Sequence, residues 1–124
     1  MHTFVLQDWA LIAGPSSALA PVTQEDAFWL DLAPFQDVVI YLDVREVTGA
    51  PTIAFETSPA KDNSLFQTIV STTLTAGASP TVLRALMLGS SVPLARYLRW
   101  KITSGGAAWD ASFRAIVAAN SPGM

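Results

Sequence analysis

The side chains of this sequence that could carry out chemistry are mostly carboxylates. The chain has ten Asp and Glu residues, a single histidine, His2, and no cysteine. The lack of cysteine excludes a disulfide framework, a thiolate metal site and a cysteine nucleophile. We expect His2, next to the start methionine, to be an exposed polar residue. A cupin-like metal enzyme would need several histidines, so we expect neither enzymatic activity nor a metal or cofactor.

The carboxylates form no catalytic or calcium-binding motif. None belongs to a dense Asp/Asn/Gly loop of the kind that supplies five or six oxygens to calcium. The spacing that glycoside hydrolysis requires is spatial and cannot be read from the sequence. The turn serines lack both a Gly-x-Ser-x-Gly elbow and a histidine base. Glu25-Asp26 and Asp62-Asn63 could donate oxygens to a surface ion. The candidates for acid–base pairs or a calcium site are Asp31, Asp37, Asp43, Glu46 and Glu56.

The aromatic residues are a stronger functional signal. The chain has four tryptophans and two tyrosines, residue types that stack on sugars, pack in cores and are enriched in subunit interfaces. Our candidate contacts with a partner or ligand are Tyr41, Tyr97, Arg99 and Lys101. The alternative hypothesis is a carbohydrate-binding module whose platform is formed by Trp29, Tyr41, Tyr97 or Trp109.

Strands must position these side chains, and the most prominent pair lies in residues 93–118. Two long segments in which apolar residues occupy alternate positions flank Gly105-Gly106 there. This pattern predicts a hairpin closed by a glycine turn. Tyr97, Arg99 and Lys101 lie on the polar face of the first segment. The residues predicted to face the core are Leu98, Trp100, Ile102, Trp109, Ala111, Phe113, Ala115 and Val117.

The strongest single strand signal covers residues 37–47. Val38, Ile40, Leu42 and Val44 share one face, and the first half of the segment is apolar on both faces. Such a pattern is typical of a central strand covered on both sides. The half that contains Asp43 and Arg45 is expected to extend toward solvent.

Shorter strands complete the predicted fold. In segment 28–32, Phe28, Leu30 and Leu32 are expected to face inward, although residues 25–32 could instead begin with a helical turn. In segment 52–57, Glu56 is expected to face outward. The other segments are residues 3–12, with Phe4, Leu6, Ala10 and Ile12 inward, residues 65–74 and residues 81–88. Seven or eight strands at this spacing predict an all-β, antiparallel, jelly-roll-like sandwich, with one domain over residues 1–124.

The composition suggests a protein with extensive subunit contacts. The chain is 51% hydrophobic and 14% charged, whereas soluble domains carry roughly 25% charged residues. No apolar run approaches the roughly 20 residues of a membrane helix, and Asp8 interrupts the apolar N-terminus, so we expect neither a membrane span nor a signal peptide. Basic residues are few and scattered, which disfavours nucleic-acid binding. Burial of much of the surface against other subunits would explain the high hydrophobic fraction and the low charged fraction.

Two stretches resemble small β-sandwich proteins encoded with the structural genes of tailed phages and prophages. Residues 93–118 contain an A-R-Y-L-R strand, a glycine turn and an x-S-F-x-A/V-x-V strand, and residues 47–59 are similar to a V-T-G-x-P-T-x-x-F-E-T-S-P stretch. With the strand that begins at Asp37, these matches cover about half of the chain. The A-R-Y-L-R strand is also similar to the closing region of discoidin-like (F5/8 type C) domains, although this chain is shorter and has no cysteine pair.

The phage resemblance implies a function without chemistry. It implies a structural subunit of a phage or phage-like particle, in the capsid or the tail, that is assembled in the host cytoplasm. Such a subunit would self-associate into a homo-oligomer and dock on other particle proteins. Nucleic acid, membranes and cofactors are not among its expected partners.

Overall fold

The computed structural model describes residues 2–17, 21–35, 37–75, 81–86 and 94–120, with only the backbone for residues 81–86. Two short 3-10 turns, Asp26–Phe28 and Asn63–Leu65, accompany the strands. In this part of the chain, no helix has the length and apolarity to cross a membrane. The strands in the described residues are β1 (His2–Gly14), β2 (Val22–Thr23), β3 (Leu30–Asp31), β4 (Asp37–Thr48), β5 (Thr52–Ser58), β6 (Gln67–Thr73), β7 (Thr81–Leu86), β8 (Tyr97–Thr103) and β9 (Trp109–Asn120).

The strands form two antiparallel sheets with jelly-roll topology. The four-stranded sheet has the order β1-β9-β4-β7, and the five-stranded sheet has the order β2-β8-β5-β6, with β3 also paired to β8. If the two-residue β3 is set aside, the first strand pairs with the last, the second with the seventh, the third with the sixth and the fourth with the fifth. This wrapping is that of a jelly roll. The predicted antiparallel sandwich is therefore confirmed, and β3 is an addition to it.

The core lies between the two sheets and follows the predicted alternation. Trp100 of β8 and Phe113 of β9 meet edge to face, with ring centroids 5.5 Å apart. Because successive side chains of a strand point to opposite faces, one face of each strand supplies the core. The fully buried side chains include Val38, Ile40, Leu42, Ile53, Phe55, Leu98, Ile102, Phe113 and Val117.

The predicted hairpin between the last two strands is wrong. β8 pairs with β5, and β9 pairs with β1 and β4, so the two strands belong to opposite sheets. Their apolar faces cover each other across the sandwich, which buries more of both strands than one exposed ribbon would. The glycine-containing segment is consequently a crossing between sheets and not a two-residue hairpin turn.

The close packing at this crossing explains why position 105 is a glycine. A Cβ on Gly105 would lie 2.2 Å from the carbonyl oxygen of Ala50, so we expect Gly105→Ala to lower the free energy of unfolding by about 1–3 kcal/mol through overpacking. Urea denaturation measures the loss. Ala107→Ser, at an exposed position of the same loop, is the control and should change little. Equal unfolding midpoints for both variants would contradict the close approach of Gly105 to the Ala50 carbonyl.

Two other local expectations are corrected. Phe28 ends a 3-10 turn and is 65% exposed, so it does not face inward. The alternative helical start is what the chain adopts. Leu65 likewise lies in a 3-10 turn, and β6 begins only at Gln67. The strand predicted over residues 81–88 is confirmed as β7, while positions 87, 88 and 93 lie outside the described residues.

Candidate interaction surface

The outer face of the four-stranded sheet carries a contiguous apolar surface. Val5 of β1 pairs with Ile116 of β9, which pairs in turn with Tyr41 of β4. These three residues form a row across three strands, called here the apolar row. Val5 is 59% exposed and Tyr41 is 42% exposed. The next row consists of Thr3, Ala118 and Val39, so small and apolar side chains continue along the face.

Two irregularities of strand register extend this surface around Arg114. In β1 the register shifts by one residue between Gln7 and Ala10, which places an extra residue near Trp9. In β4 the register shifts between Val44 and Glu46, which places Arg45 outside the regular pairing. Bulges of this kind redirect side chains. Here they bring Trp9 and Arg45 toward Arg114, which lies between them on β9.

The resulting group, called here the Trp9 cluster, combines an aromatic ring with two guanidinium groups and a carboxylate. The guanidinium carbons of Arg45 and Arg114 lie 4.5 Å and 5.0 Å from the centroid of the Trp9 ring. Arg114 Nη2 donates to Asp43 Oδ2 at 2.6 Å. Arg114 Nε is buried and has no hydrogen-bond partner in the described structure. The Trp9 side chain remains 37% exposed, so part of the ring is accessible to a partner.

This face has the composition of a protein contact. Exposed apolar patches rimmed by polar groups mark interaction sites, and Trp, Tyr and Arg are enriched in interface hot spots. Among the described residues, six large hydrophobic side chains are exposed, and Phe28 and Leu65 are the two that lie elsewhere. The four on this face are Val5, Trp9, Leu11 and Tyr41.

The sequence of β1 contains a signal for this surface. The outward residues Val5, Trp9 and Leu11 alternate with the correctly predicted inward positions of β1, so β1, like β4, is apolar on both faces. The expectation that the first half of β4 is covered on both sides is wrong for this chain alone. Its outer side chains, Val39 and Tyr41, are half-buried and exposed, respectively.

The structure separates the four candidate contact residues. Tyr41 lies on the four-stranded sheet, whereas Tyr97, Arg99 and Lys101 lie on β8 of the five-stranded sheet. The two groups therefore face opposite sides of the sandwich and cannot form one site. Tyr97 is half-buried, with Lys61 Nζ and the guanidinium carbon of Arg96 at 5.8 Å and 5.2 Å from its ring.

Arg99 belongs to a buried ionic group within the chain. Its side chain is 5% exposed, and its Nε donates to Glu56 Oε1 at 3.0 Å. Its guanidinium carbon lies 3.8 Å from the centroid of Phe66 and 5.1 Å from that of Trp29. It also donates to Asn63 Oδ1. Glu56, expected to face solvent, is 4% exposed. Burial thus leaves Arg99 little surface for a partner.

The remaining charged pairs near β8 are more exposed. Lys101 Nζ lies 3.4 Å from Glu56 Oε2, and the Lys101 side chain is 33% exposed. Arg96 forms two hydrogen bonds to Asp31, and this contact, helped by the Ala33 amide, holds the pKa of the Asp31 carboxyl below its usual value. Because both partners are about half exposed, water screens this pair.

The four aromatic residues of the carbohydrate hypothesis do not form one platform. Trp109 is 4% exposed and belongs to the core. Trp29 is half-buried and packs edge-on against Phe66, with centroids 4.7 Å apart. Tyr41 and Tyr97 lie on opposite sheets. The four rings therefore cannot act together as a single sugar-binding platform.

Phe28 lines two shallow hollows. Their volumes are about 290 Å³ and 270 Å³, and Gln7 lines both. The amides beside them already have partners within the chain. Trp100 Nε1 donates to Gln7 Oε1 at 3.1 Å, and Gln24 Nε2 donates to the Leu6 carbonyl at 2.7 Å. No group of three or more metal-ligating side chains occurs in the described ranges.

Comparison with known proteins supports the fold. No protein-family model and no curated protein matches the sequence, so the discoidin-like resemblance gains no support. The structure is similar to the crystal structure of the SPBc2 prophage-derived protein YomS, with a TM-score of 0.51 and 15% sequence identity. The match covers 94% of this chain and 90% of that chain. At this identity, the likeness establishes a shared fold.

Proposed function

We propose that this protein is a non-enzymatic structural subunit of a phage or phage-like particle, in its capsid or tail. It acts by associating with copies of itself and by docking on neighbouring particle proteins. The fold supports this proposal, since the prophage-derived YomS protein shares it over nearly the whole of both chains. The phage resemblance of residues 47–59 and 93–118 points in the same direction.

The observation that carries the proposal is the concentration of exposed hydrophobic side chains on one sheet. Four such side chains share the outer face of the four-stranded sheet. Burial of apolar surface contributes about 25 cal/mol per Å², and this gain offsets the loss of translational and side-chain freedom on association. A partner that covers this face would therefore bind favourably without any chemical step.

The charges of the chain are also consistent with a subunit role. Several of its few basic side chains are paired within the chain: Arg99 and Lys101 with Glu56, and Arg114 with Asp43. Charges that are already paired cost less to bring into a contact than unpaired ones, because their partners accompany them. The low charged fraction then favours association on several sides.

The mass of the purified protein in solution tests the proposal. Light scattering over a range of concentrations is expected to show a defined oligomer, and negative-stain microscopy of the same sample should show its shape. A monomer at every concentration would contradict self-association. A sugar-dependent change in tryptophan fluorescence, with the protein still monomeric, would favour the carbohydrate-binding alternative.

A further inference from the structure

We propose that the outer face of the four-stranded sheet binds the same face of a second copy of this chain, giving a two-fold symmetric dimer. The inference rests on the proposed function, since it identifies one contact through which the subunit associates with itself. Its basis is the apolar row, the Trp9 cluster and the distribution of charge around them.

The four-stranded sheet contains strands that are apolar on both faces. Strands that are apolar on both faces are characteristic of sheets covered on both sides. β1 and β4 have this character, yet the described chain covers only their inner faces, and Leu11 and Val5 remain 72% and 59% exposed. Two sheets pack face to face at about 10 Å with interdigitating side chains. A second copy supplies such a sheet.

The face is also large enough to form a dimer contact. With strands about 4.8 Å apart and a rise of about 3.3 Å per residue, ten residues of β1, β9 and β4 present roughly 500 Å² in projection. The accessible area of protruding side chains exceeds this projection. Standard interfaces bury roughly 800 Å² on each partner, so this face, together with its rim, is of the size that a stable dimer needs.

The charges on the face are compatible with a two-fold contact. A two-fold contact places the same residues on both sides, and a face with charges of one sign would repel its own copy. The charged part of this face carries both signs, since Arg114 is paired with Asp43 and Arg45 lies over the Trp9 ring beside it. Carboxylates of one copy can therefore meet guanidinium groups of the other. The buried Arg114 Nε, which lacks an acceptor within the described chain, is a donor that such a contact could satisfy.

The opposite face of the sandwich is less suited to this role. On the five-stranded sheet, β6 exposes polar residues such as Gln67, Thr68 and Ser71. Arg99 and Glu56 of its neighbours are already covered by Phe66 and Asn63. The apolar surface that would stabilise a dimer thus belongs to the four-stranded sheet.

Charge substitutions on β1 test the inference. Leu11→Lys and Val5→Lys are each expected to raise the dimer dissociation constant at least tenfold, measured by sedimentation velocity over a concentration series. Both side chains are largely exposed, and lysine is common on edge strands, so the fold should persist. Circular dichroism and thermal unfolding check this. The matched control is Leu65→Lys, at a 44% exposed leucine away from the face, which should leave the constant unchanged.

A second measurement does not depend on weakening the dimer. The chain has no cysteine, so Leu11→Cys and Leu65→Cys each introduce a single thiol. Maleimide should label position 11 more slowly at concentrations at which the protein is dimeric than in dilute solution, whereas position 65 should react equally fast in both.

The outcomes separate the inference from the proposed function. If the wild type self-associates and both β1 variants behave like Leu65→Lys, the contact lies elsewhere and the inference is overturned, while the subunit function stands. If the wild type is monomeric at all concentrations, self-association fails and the inference fails with it. A third outcome is that the wild type forms oligomers of more than two copies and that both β1 variants convert these oligomers entirely to monomers. That result would indicate a head-to-tail contact and overturn the two-fold symmetry.

Discussion

Replacement of Arg99 by alanine is expected to lower the free energy of unfolding by about 3–5 kcal/mol, the usual loss when one partner of a buried ion pair is removed. Glu56, whose side chain is 5% exposed, would lose its closest charged partner. The substitution would also leave a space between Phe66 and Trp29, which the guanidinium group now fills. Urea denaturation monitored by tryptophan fluorescence measures the loss.

A matched control is available three residues earlier, just before β8 begins. Arg96→Ala removes an ion pair with Asp31 whose side chains are about half exposed, and exposed pairs contribute little. Its effect should be much smaller than that of Arg99→Ala. The lowered pKa of Asp31 means that the contribution of this pair is present above the ordinary pKa of an aspartate and is lost as the pH falls through the folded-state pKa. Equal losses for both variants would contradict the burial of Arg99.

Replacing both partners distinguishes the destabilisation caused by an unpaired buried charge from the net contribution of the ion pair to the free energy of unfolding. Glu56→Met combined with Arg99→Met substitutes apolar side chains for both partners, and such replacements are often close to neutral. We expect the double variant to recover much of the stability that either single variant loses. Lys101 would lose Glu56 as well, but it is 33% exposed and can be hydrated. A double variant no more stable than Arg99→Ala would show that packing around Arg99, and not its charge, dominates.

Arg99 also shows what alternation along a strand can and cannot predict. The sequence correctly places Arg99 and Glu56 on the outer face of their sheet, because side-chain direction depends only on the local backbone. It does not predict what lies over that face. Asn63 and Phe66 reach Arg99 from a turn that is more than 30 residues away in the chain. Whether an outward-facing residue is exposed thus depends on segments that are distant in the sequence.

The pairing of β8 and β9 has a similar explanation. Both strands direct alternate apolar residues into the same core, and this pattern is identical whether the strands share one sheet or lie in two. The predicted inward residues were consequently correct, while the predicted hairpin was wrong. The close approach of Gly105 to Ala50 is a contact between distant residues. No pattern within 93–118 could therefore have indicated the crossing.

The candidate surface was predicted only in part for the same reason. Tyr41 was selected from the sequence, but Tyr97, Arg99 and Lys101 lie on the other sheet. The cluster of Trp9, Arg45 and Arg114 depends on register shifts in two strands that flank a third. Such shifts follow from the tertiary pairing, which alternation does not encode.

The second large effect is expected in the core, at Phe113. Phe113→Ala should lower the free energy of unfolding by about 3–5 kcal/mol, since it removes a fully buried ring and leaves a cavity. The ring is 0% exposed and packs edge to face on Trp100, so it joins the two sheets at the point where β8 and β9 face each other. Urea denaturation at a concentration at which the wild type is monomeric measures this loss separately from any loss of association.

The same substitution at Phe28 provides the control and tests a correction made by the structure. Phe28 is 65% exposed, and surface substitutions usually change stability by less than about 0.5 kcal/mol. If segment 28–32 were instead a strand with Phe28 inward, as its alternation predicts, Phe28→Ala would cost nearly as much as Phe113→Ala. A large loss at Phe113 with little change at Phe28 therefore supports the 3-10 turn, whereas comparable losses would restore the strand interpretation.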